Sequence, residues 1–362
     1  MLYSLSLDWV QIQVIVPRKD YEFCSGVYQI KREDYQTRHF KDVFVISHKD
    51  EPVATLAANP HSHILDFNCG LLKIHNKFLY NHDFIFWLRQ FLKGAQLTFK
   101  SISRLDIALD FTDFAYGLKP EKFIKSFLSD KIMKTGKARF KCEGSQDKET
   151  TFHYLKFGSE TSDITYYLYN KSKEMEEKTL KPWIAESWAQ NGYKNELPMW
   201  RLEFSLKSSK KNFVCLDGGD TFNMADFNLL EFANFLQLYK MLLKKYFSFV
   251  YKGKQSRKDR MKPVTLFTNF TPLPCVIDLS KKKDSTRSSK IFARKLMELN
   301  QDLRGADFSL AVFNNELLSL FVVERDLVRW AEQKLPNFQL TDKAARIMNK
   351  LRIMESMKEF KE

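Results

Sequence analysis

The stretch Ser103-Arg104-Leu105-Asp106-Ile107-Ala108-Leu109-Asp110 alternates apolar and polar side chains with a period of two residues. A β-strand has this period, so one face would carry the aliphatic side chains of Leu105, Ile107 and Leu109. The other face would carry one arginine and two carboxylates, Arg104, Asp106 and Asp110. This separation predicts a polar site on a sheet whose opposite face packs on the core.

Two later stretches show a related pattern. Residues 200–206 alternate so that Arg201 and Glu203 share one face, over an apolar back. An aromatic stretch follows Thr165. On it, one side is shared by Tyr167, Tyr169 and Lys171. If the three predicted strands are neighbours, their carboxylates, arginines, lysine and tyrosines converge on one polar face.

Such a set of side chains indicates phosphoryl-transfer chemistry. Carboxylate oxygens suit a hard divalent cation such as Mg²⁺ or Mn²⁺, which would polarise a phosphate. A nearby tyrosine hydroxyl could attack the phosphorus as a covalent nucleophile. Because the pKa of a free tyrosine is about 10, a metal, a lysine or an arginine would have to help form or stabilise the phenolate.

The remaining patterns predict an α+β fold with a mainly antiparallel sheet. Alternating segments predict strands at residues 6–16, 26–31, 42–47, 52–57 and 71–78, and a hairpin at 152–157 and 164–169. A helix is expected from an N-cap at Asn81 to about Lys93, and another from Pro120. We divide the chain into a catalytic domain (1–212), a helical and basic extension packed on it (213–280), and a helical C-terminal region (281–362).

The charge of the chain favours a nucleic acid as partner. Its 58 Lys and Arg residues outnumber 44 Asp and Glu residues, for a net charge of +14. Basic residues cluster in segments 131–141 and 252–262, where we expect contacts with the DNA backbone. The expected DNA-binding residues are Lys131, Lys134, Lys137, Arg139, Lys252, Lys254, Arg257, Lys258 and Arg260.

The same composition argues for a cytoplasmic protein without a membrane segment. No apolar run is long enough to span a bilayer, and the first residues lack a basic region followed by an apolar one. The five cysteines are widely spaced and odd in number, which fits a reducing compartment and no disulfide framework.

Four motifs, taken in their order along the chain, resemble those of the replication initiation factor family. They are Asp8-Trp9, residues 103–110, Tyr167-Leu168-Tyr169-Asn170-Lys171-Ser172-Lys173-Glu174 and Trp200-Arg201-Leu202-Glu203. That family contains rolling-circle initiators of plasmids and phages and the related relaxases of conjugative transposons. The resemblance covers roughly residues 5–300 and is strongest to initiators of Bacteroides-like bacteria.

The resemblance implies an HUH-like nicking domain in which carboxylates replace the usual histidine pair, so His61 and His63 are set aside. By motif matching, Asp106, Asp110 and Glu203 would hold the metal. Tyr169 falls on the tyrosine of the family's Tyr-Asp-Lys pattern, although Asn170 stands in place of the aspartate, and Tyr167 remains a rival nucleophile. Arg104, Arg201 and Lys171 would orient the phosphate or support the carboxylates.

The implied function is initiation of rolling-circle replication in a bacterial cytoplasm. The protein would bind a double-stranded origin and nick one strand, leaving a 5′-phosphotyrosyl link and a 3′-OH primer. Origin DNA is the expected partner, and a host helicase and a second copy of the chain are further candidates. Two alternatives stay open: a mobilisation relaxase acting at a transfer origin, and an initiator that binds its origin without nicking it.

Overall fold

The computed structural model describes residues 3–17, 28–48, 51–61, 68–136, 139–146, 150–159, 161–177, 181–193, 197–207, 212–214, 221–253, 257, 260–275 and 277. Contacts within the chain divide it into Met1–Leu279 and Ser280–Glu362. All described residues belong to the first unit. The predicted helical region 281–362 lies outside them, and the three-part division of the chain stays a prediction.

The described residues form fifteen strands and six α-helices. The strands are β1 (Tyr3–Ile15), β2 (Gln29–Glu33), β3 (Phe40–His48), β4 (Glu51–Pro60), β5 (Cys69–Ile74), β6 (Thr98–Phe111), β7 (Ile132–Lys134), β8 (Phe140–Gln146), β9 (Thr150–Phe157), β10 (Ile164–Asn170), β11 (Trp200–Lys207), β12 (Asn212–Val214), β13 (Thr221–Asn223), β14 (Phe249–Tyr251) and β15 (Leu273–Pro274). The helices are α1 (Asn76–Leu79), α2 (Phe84–Gly94), α3 (Pro120–Leu128), α4 (Lys171–Glu177), α5 (Pro182–Gln190) and α6 (Phe232–Tyr246), with short 3₁₀ turns at Ala115–Gly117 and Phe227–Leu230.

One large antiparallel sheet dominates these elements. Its strand order is β2-β3-β4-β5-β1-β6-β11-β10-β9-β8, and β15 adds to β1 as a parallel strand. The strands before β6 form one half of the sheet and those after it the other, so β6 lies at the centre. The predicted α+β class, a mainly antiparallel sheet with flanking helices, is confirmed.

The apolar face of the sheet carries the core. Leu105, Ile107 and Leu109 of β6 are fully buried there. Helix α6 packs on this face through Tyr239, whose ring lies 5.3 Å from that of Phe204. Helices α3 and α6 cover this side of the sheet, which we call the helix side.

Several element boundaries differ from the sequence predictions, most clearly around residues 74–84. The strand predicted to reach Phe78 ends at Ile74, and the short helix α1 follows it. Helix α2 has Asp83 as its N-cap residue instead of Asn81, with no side-chain cap hydrogen bond. Among the described residues, no helix combines the length and the hydropathy needed to cross a membrane.

A β-bulge in β1 shapes the polar face. Leu7 pairs with Ile107 and Trp9 pairs with Asp106, so that Asp8 is an extra residue opposite β6. A bulge of this kind redirects the side chain that it inserts. It lets both Asp8 and Trp9 join the polar face, although they are adjacent in sequence.

Candidate active site

The structure places the three predicted polar strands side by side. Strand β11 lies between β6 and β10, and Glu203 pairs with Ala108 on one side and Tyr167 on the other. Two residues away, Arg201 pairs with Asp110 and Tyr169. This register puts the polar side chains of all three strands on one face.

Part of that face opens into a cleft of about 580 Å³. Its walls come from the polar sides of β6, β8, β9, β10 and β11 and from the first turns of α4. The lining residues are Arg104, Glu143, His153, Tyr154, Tyr167, Tyr169, Asn170, Lys173, Glu174, Glu177 and Glu203. The cleft therefore joins both candidate tyrosines to one candidate carboxylate and one arginine.

Tyr169 and Glu203 are linked directly inside the cleft. The Tyr169 hydroxyl donates a hydrogen bond of 2.9 Å to Oε2 of Glu203. Burial, then the charges of Asp8 and Asp106, raise the pKa of Glu203 to about 7. Burial and the charge of Glu203 raise the pKa of Tyr169 well above that of a free tyrosine. A preformed phenolate is thus disfavoured, whereas transfer of the phenolic proton to Glu203 is geometrically direct.

Asp106 is held by a two-pronged ion pair with Arg104. Nε of Arg104 donates to Oδ1 at 3.0 Å and a terminal nitrogen donates to Oδ2 at 2.5 Å. The Asp106 side chain is 3% exposed and that of Arg104 is 38% exposed. Burial, partly offset by Arg104, raises the pKa of Asp106. The pair therefore differs from exposed surface ion pairs, which contribute little to stability. Arg104 also lines the cleft.

A second, fully buried pair lies at the covered end of the polar face. Arg201 donates from Nε to Oδ1 of Asp110 at 2.6 Å and from a terminal nitrogen to Oδ2 at 2.7 Å. Its other terminal nitrogen donates to Oδ1 of Asp8 at 2.5 Å. Both Arg201 and Asp110 are 0% exposed. Of the two roles predicted for Arg201, these contacts fit support of carboxylates and leave no access for a phosphate.

Side chains from helical segments complete this buried network. The Trp188 indole of α5 donates to Oδ2 of Asp110 at 2.7 Å, and the Tyr80 hydroxyl accepts from Arg201 at 3.1 Å. Although burial opposes ionisation of Asp8, the charges of Arg201 and Lys171 hold the pKa of Asp8 below its usual range. The network holds the first part of β11 in place, and Glu203 lies two residues after Arg201 on that strand.

The two remaining candidates, Tyr167 and Lys171, occupy different positions. Tyr167 lines the cleft, and its hydroxyl lies 3.1 Å from the Thr165 hydroxyl and not against a carboxylate. Lys171 is buried, donates to Glu174 at 2.6 Å, and places its ammonium 5.6 Å from the centre of the Tyr169 ring. Burial and the charge of Arg201 lower the pKa of Lys171. Lys171 thus contacts the Tyr169 ring but does not line the cleft.

The carboxylates predicted to bind a metal already accept hydrogen bonds from protein donors. Asp106 is held by Arg104, Asp110 by Arg201 and Trp188, and Glu203 by Tyr169. Across the described ranges, no group of three or more His, Cys, Asp or Glu side chains is placed to hold a metal ion. Each predicted ligand is thus engaged by a protein donor, and binding of Mg²⁺ or Mn²⁺ stays a prediction of the sequence.

The two basic segments are brought together, but on the helix side. Strands β7 and β14 pair, and the backbone N–H of Lys252 donates to the carbonyl of Lys131 at 2.9 Å. Strand β14 packs through Phe249 against Phe123 of α3, with ring centres 4.9 Å apart. The cleft opens on the other face of the sheet.

The predicted DNA-binding residues differ in exposure. Lys131, Arg139, Lys252, Arg257 and Arg260 are exposed, and Lys252 pairs with Asp130. Lys134 is buried, with its ammonium 5.9 Å from the Tyr166 ring centre, so its charge is not presented to solvent. Lys137, Lys254 and Lys258 lie outside the described residues.

Several residues of the site have no sequence signal that would have identified them alone. Asp8 enters through a bulge, Tyr80 follows a four-residue helix, and Trp188 comes from α5. Only the Asp8-Trp9 pair was visible in the sequence, as one of the family-like motifs. The role of Asp8 in the site could be recognised only from the register between β1 and β6.

Comparison with known proteins finds similarity at the level of structure. No family model matches the sequence, and no curated protein matches it. The chain is similar to the solved structure of a rolling circle replication initiator protein from Geobacillus stearothermophilus, with 15% sequence identity and a TM-score of 0.41. The similarity covers 72% of this chain and 92% of that one. At this level of similarity, the chemistry of the site has to be argued from its own residues.

Proposed function

We propose that this protein is a DNA-nicking replication initiator that uses Tyr169 as its nucleophile. The hydrogen bond from the Tyr169 hydroxyl to Glu203, inside a cleft that also holds Arg104, is the observation that carries the proposal. The ordered family-like motifs supply the biological context, which is initiation of rolling-circle replication at an origin.

The proposed reaction is a transesterification at one phosphodiester. The Tyr169 oxygen forms a bond to phosphorus while the bond from phosphorus to the 3′ oxygen breaks. The phenolic proton passes to Oε2 of Glu203, and the 3′ oxygen takes up a proton from solvent water to become the 3′-OH primer. The 5′ phosphate stays on Tyr169, which keeps the broken bond available for rejoining.

Of the three cations predicted to orient the phosphate, Arg104 is the one placed to receive it. It lines the cleft and is partly exposed, whereas Arg201 and Lys171 are buried and engaged with carboxylates. The bond between Arg104 and Asp106 fixes the guanidinium, so that its remaining donors are oriented before the strand binds. Arg201 and Asp110 act as positioning residues for β11.

Supercoiled DNA that carries the cognate origin tests this function. Wild-type protein is expected to convert it to open circles, and Glu203→Gln is expected to slow the conversion by about 100-fold or more, as for loss of a general base. Conversion only at a transfer origin would identify a mobilisation relaxase. Binding without any open circles would identify an initiator that does not nick.

A further inference from the structure

The indole of Trp9 lies on the open part of the polar face between two cations. The ammonium of Lys73 lies 3.9 Å from the indole ring centre, and the guanidinium carbon of Arg104 lies 4.4 Å from it. Such distances are typical of cation–π contacts. One indole therefore contacts two positive charges.

The sheet register explains why the two cations meet. Gln11 of β1 pairs with Lys73 of β5 on one side and with Arg104 of β6 on the other. Since neighbouring strands lie about 4.8 Å apart, the two Cα atoms are roughly 10 Å apart. Both long side chains reach the indole of Trp9, which the bulge at Asp8 places in register with Asp106.

The charges at this point are not balanced. Asp106 neutralises Arg104, whereas no carboxylate of the described residues lies within ion-pair distance of Lys73. The Lys73 side chain is exposed, although part of it is shielded from water. This partial desolvation, followed by the charge of Arg104, lowers the pKa of Lys73. A surplus positive charge held in a fixed place favours an anion from solution.

The position of this surplus charge relative to the cleft indicates which anion it suits. Arg104 belongs both to the cleft that holds Tyr169 and to the contact with Trp9. A DNA strand whose scissile phosphate lies in the cleft would therefore bring a neighbouring phosphate of its backbone toward Lys73.

We propose that Lys73, held by Trp9 beside Arg104, forms a phosphate-binding station for the DNA phosphate next to the scissile phosphate that Arg104 receives. This inference rests on the proposed nicking function, because it takes the cleft as the place of the scissile phosphate. Trp9 is a positioning residue that keeps the two cations on the open face. The station differs from the basic segments at Lys131 and Lys252, which lie on the helix side.

Salt-dependent binding of a single-stranded oligonucleotide tests the station. The probe is a labelled strand of about 20 nucleotides, longer than the roughly 4–16 nucleotides that a single-strand-binding domain occupies. Its affinity is measured by anisotropy across a range of salt concentrations. Each lost phosphate contact reduces the slope of log K against log salt by about 0.7 for single strands.

Lys73→Gln is expected to reduce the slope by about 0.7 and to do so equally on two unrelated sequences, since phosphate contacts carry no sequence information. Trp9→Leu is expected to weaken binding in the same way, and Trp9→Phe less. The matched control is Lys240→Gln, an exposed lysine of α6 on the helix side, which should leave the slope unchanged.

The outcomes separate this inference from the proposed function. An unchanged slope for Lys73→Gln overturns the station, even if wild-type protein nicks its origin. A reduced slope with no nicking by wild-type protein supports a phosphate contact at Lys73 and refutes the nicking function. An equal change in the Lys240→Gln control would also overturn the station, because it would show a general effect of charge.

Discussion

Glu203 combines three properties at one position. It is half-buried on the polar face, it accepts a hydrogen bond from the Tyr169 hydroxyl, and desolvation and the charges of Asp8 and Asp106 raise its pKa to about 7. An unfolded glutamate titrates near 4.3. Between these two pH values the folded state holds a proton that the unfolded state has released, so stability falls as pH rises through the window.

Replacement of Glu203 by glutamine should therefore stabilise the fold while it impairs nicking. At pH 8 the variant is expected to exceed wild type in free energy of unfolding by about 1–3 kcal/mol, and at pH 4 the two should be equal. Urea denaturation at both pH values measures the difference. A variant that is less stable than wild type at pH 8 would show that the Glu203 charge is well compensated in the folded protein.

Arg201 is the residue on which the buried end of the site depends for stability. Its removal in Arg201→Met leaves the carboxylates of Asp110 and Asp8 buried without their cation. The expected loss is about 3–5 kcal/mol of unfolding free energy. Arg89→Met is the matched control, since Arg89 forms a half-exposed pair with Glu231 that should contribute at most about 1 kcal/mol. Similar losses for both variants would contradict the proposed role of Arg201.

At the scale of elements, the alternation of side chains predicted the strands that form the site. Strands β6, β10 and β11 each have one apolar and one polar face, so their contributions followed from a period of two. That Arg201 would lie opposite Asp110 required the register between two strands whose paired residues are 91 positions apart, which no local pattern contains. The same holds for the bulge at Asp8.

The sequence also could not predict on which face of the sheet the basic segments lie. Their charge was visible, but the pairing of β7 with β14 and the packing of Phe249 place them on the helix side. A run of lysines shows solvent exposure more directly than it shows orientation relative to a site. Lys134 departs even from that expectation, since it is buried.

The packing of β5 against β1 offers a test at this scale. A Cβ atom added at Gly70 would lie 2.9 Å from Cγ2 of Val16 and 3.1 Å from Cγ2 of Val14, both on stiff β-branched side chains. Gly70→Ala is thus expected to destabilise the fold by about 1–3 kcal/mol. Thermal unfolding measures this.

Gly94 gives the matched control for that substitution. It is the last residue of α2, and a Cβ atom there would meet nothing within 4 Å. Gly94→Ala should be neutral or stabilise the fold by up to about 1 kcal/mol. If Gly70→Ala were equally harmless, the close approach of β5 to β1 would be wrong.

At the scale of the whole molecule, one large sheet separates two kinds of surface. The helix side carries the core and the paired basic segments, and the other face carries the buried Arg201 network beside the open cleft. The sequence predicted the fold class and the polar face. It could not predict which part of that face would be covered, because the cover comes from Tyr80 and from Trp188 of α5.

Removal of divalent cations tests the cofactor that the sequence predicts. Chelation with EDTA is expected to stop open-circle formation, and Mn²⁺ or Mg²⁺ is expected to restore it. The readout is the nicking of supercoiled origin DNA under matched ionic strength. Full activity in excess EDTA would instead assign the transfer to the side chains of the cleft alone.

The most direct test of the central claim is the location of the covalent bond to DNA. After reaction with origin DNA and denaturation in SDS, the digested adduct is analysed by mass spectrometry. Residues 157–171, the tryptic peptide that follows Lys156, contain Tyr166, Tyr167 and Tyr169, so fragment ions must assign the site. We predict a nucleotide on Tyr169, lost in Tyr169→Phe and retained in Tyr167→Phe. An adduct on Tyr167, or none on any tyrosine, would contradict the claim.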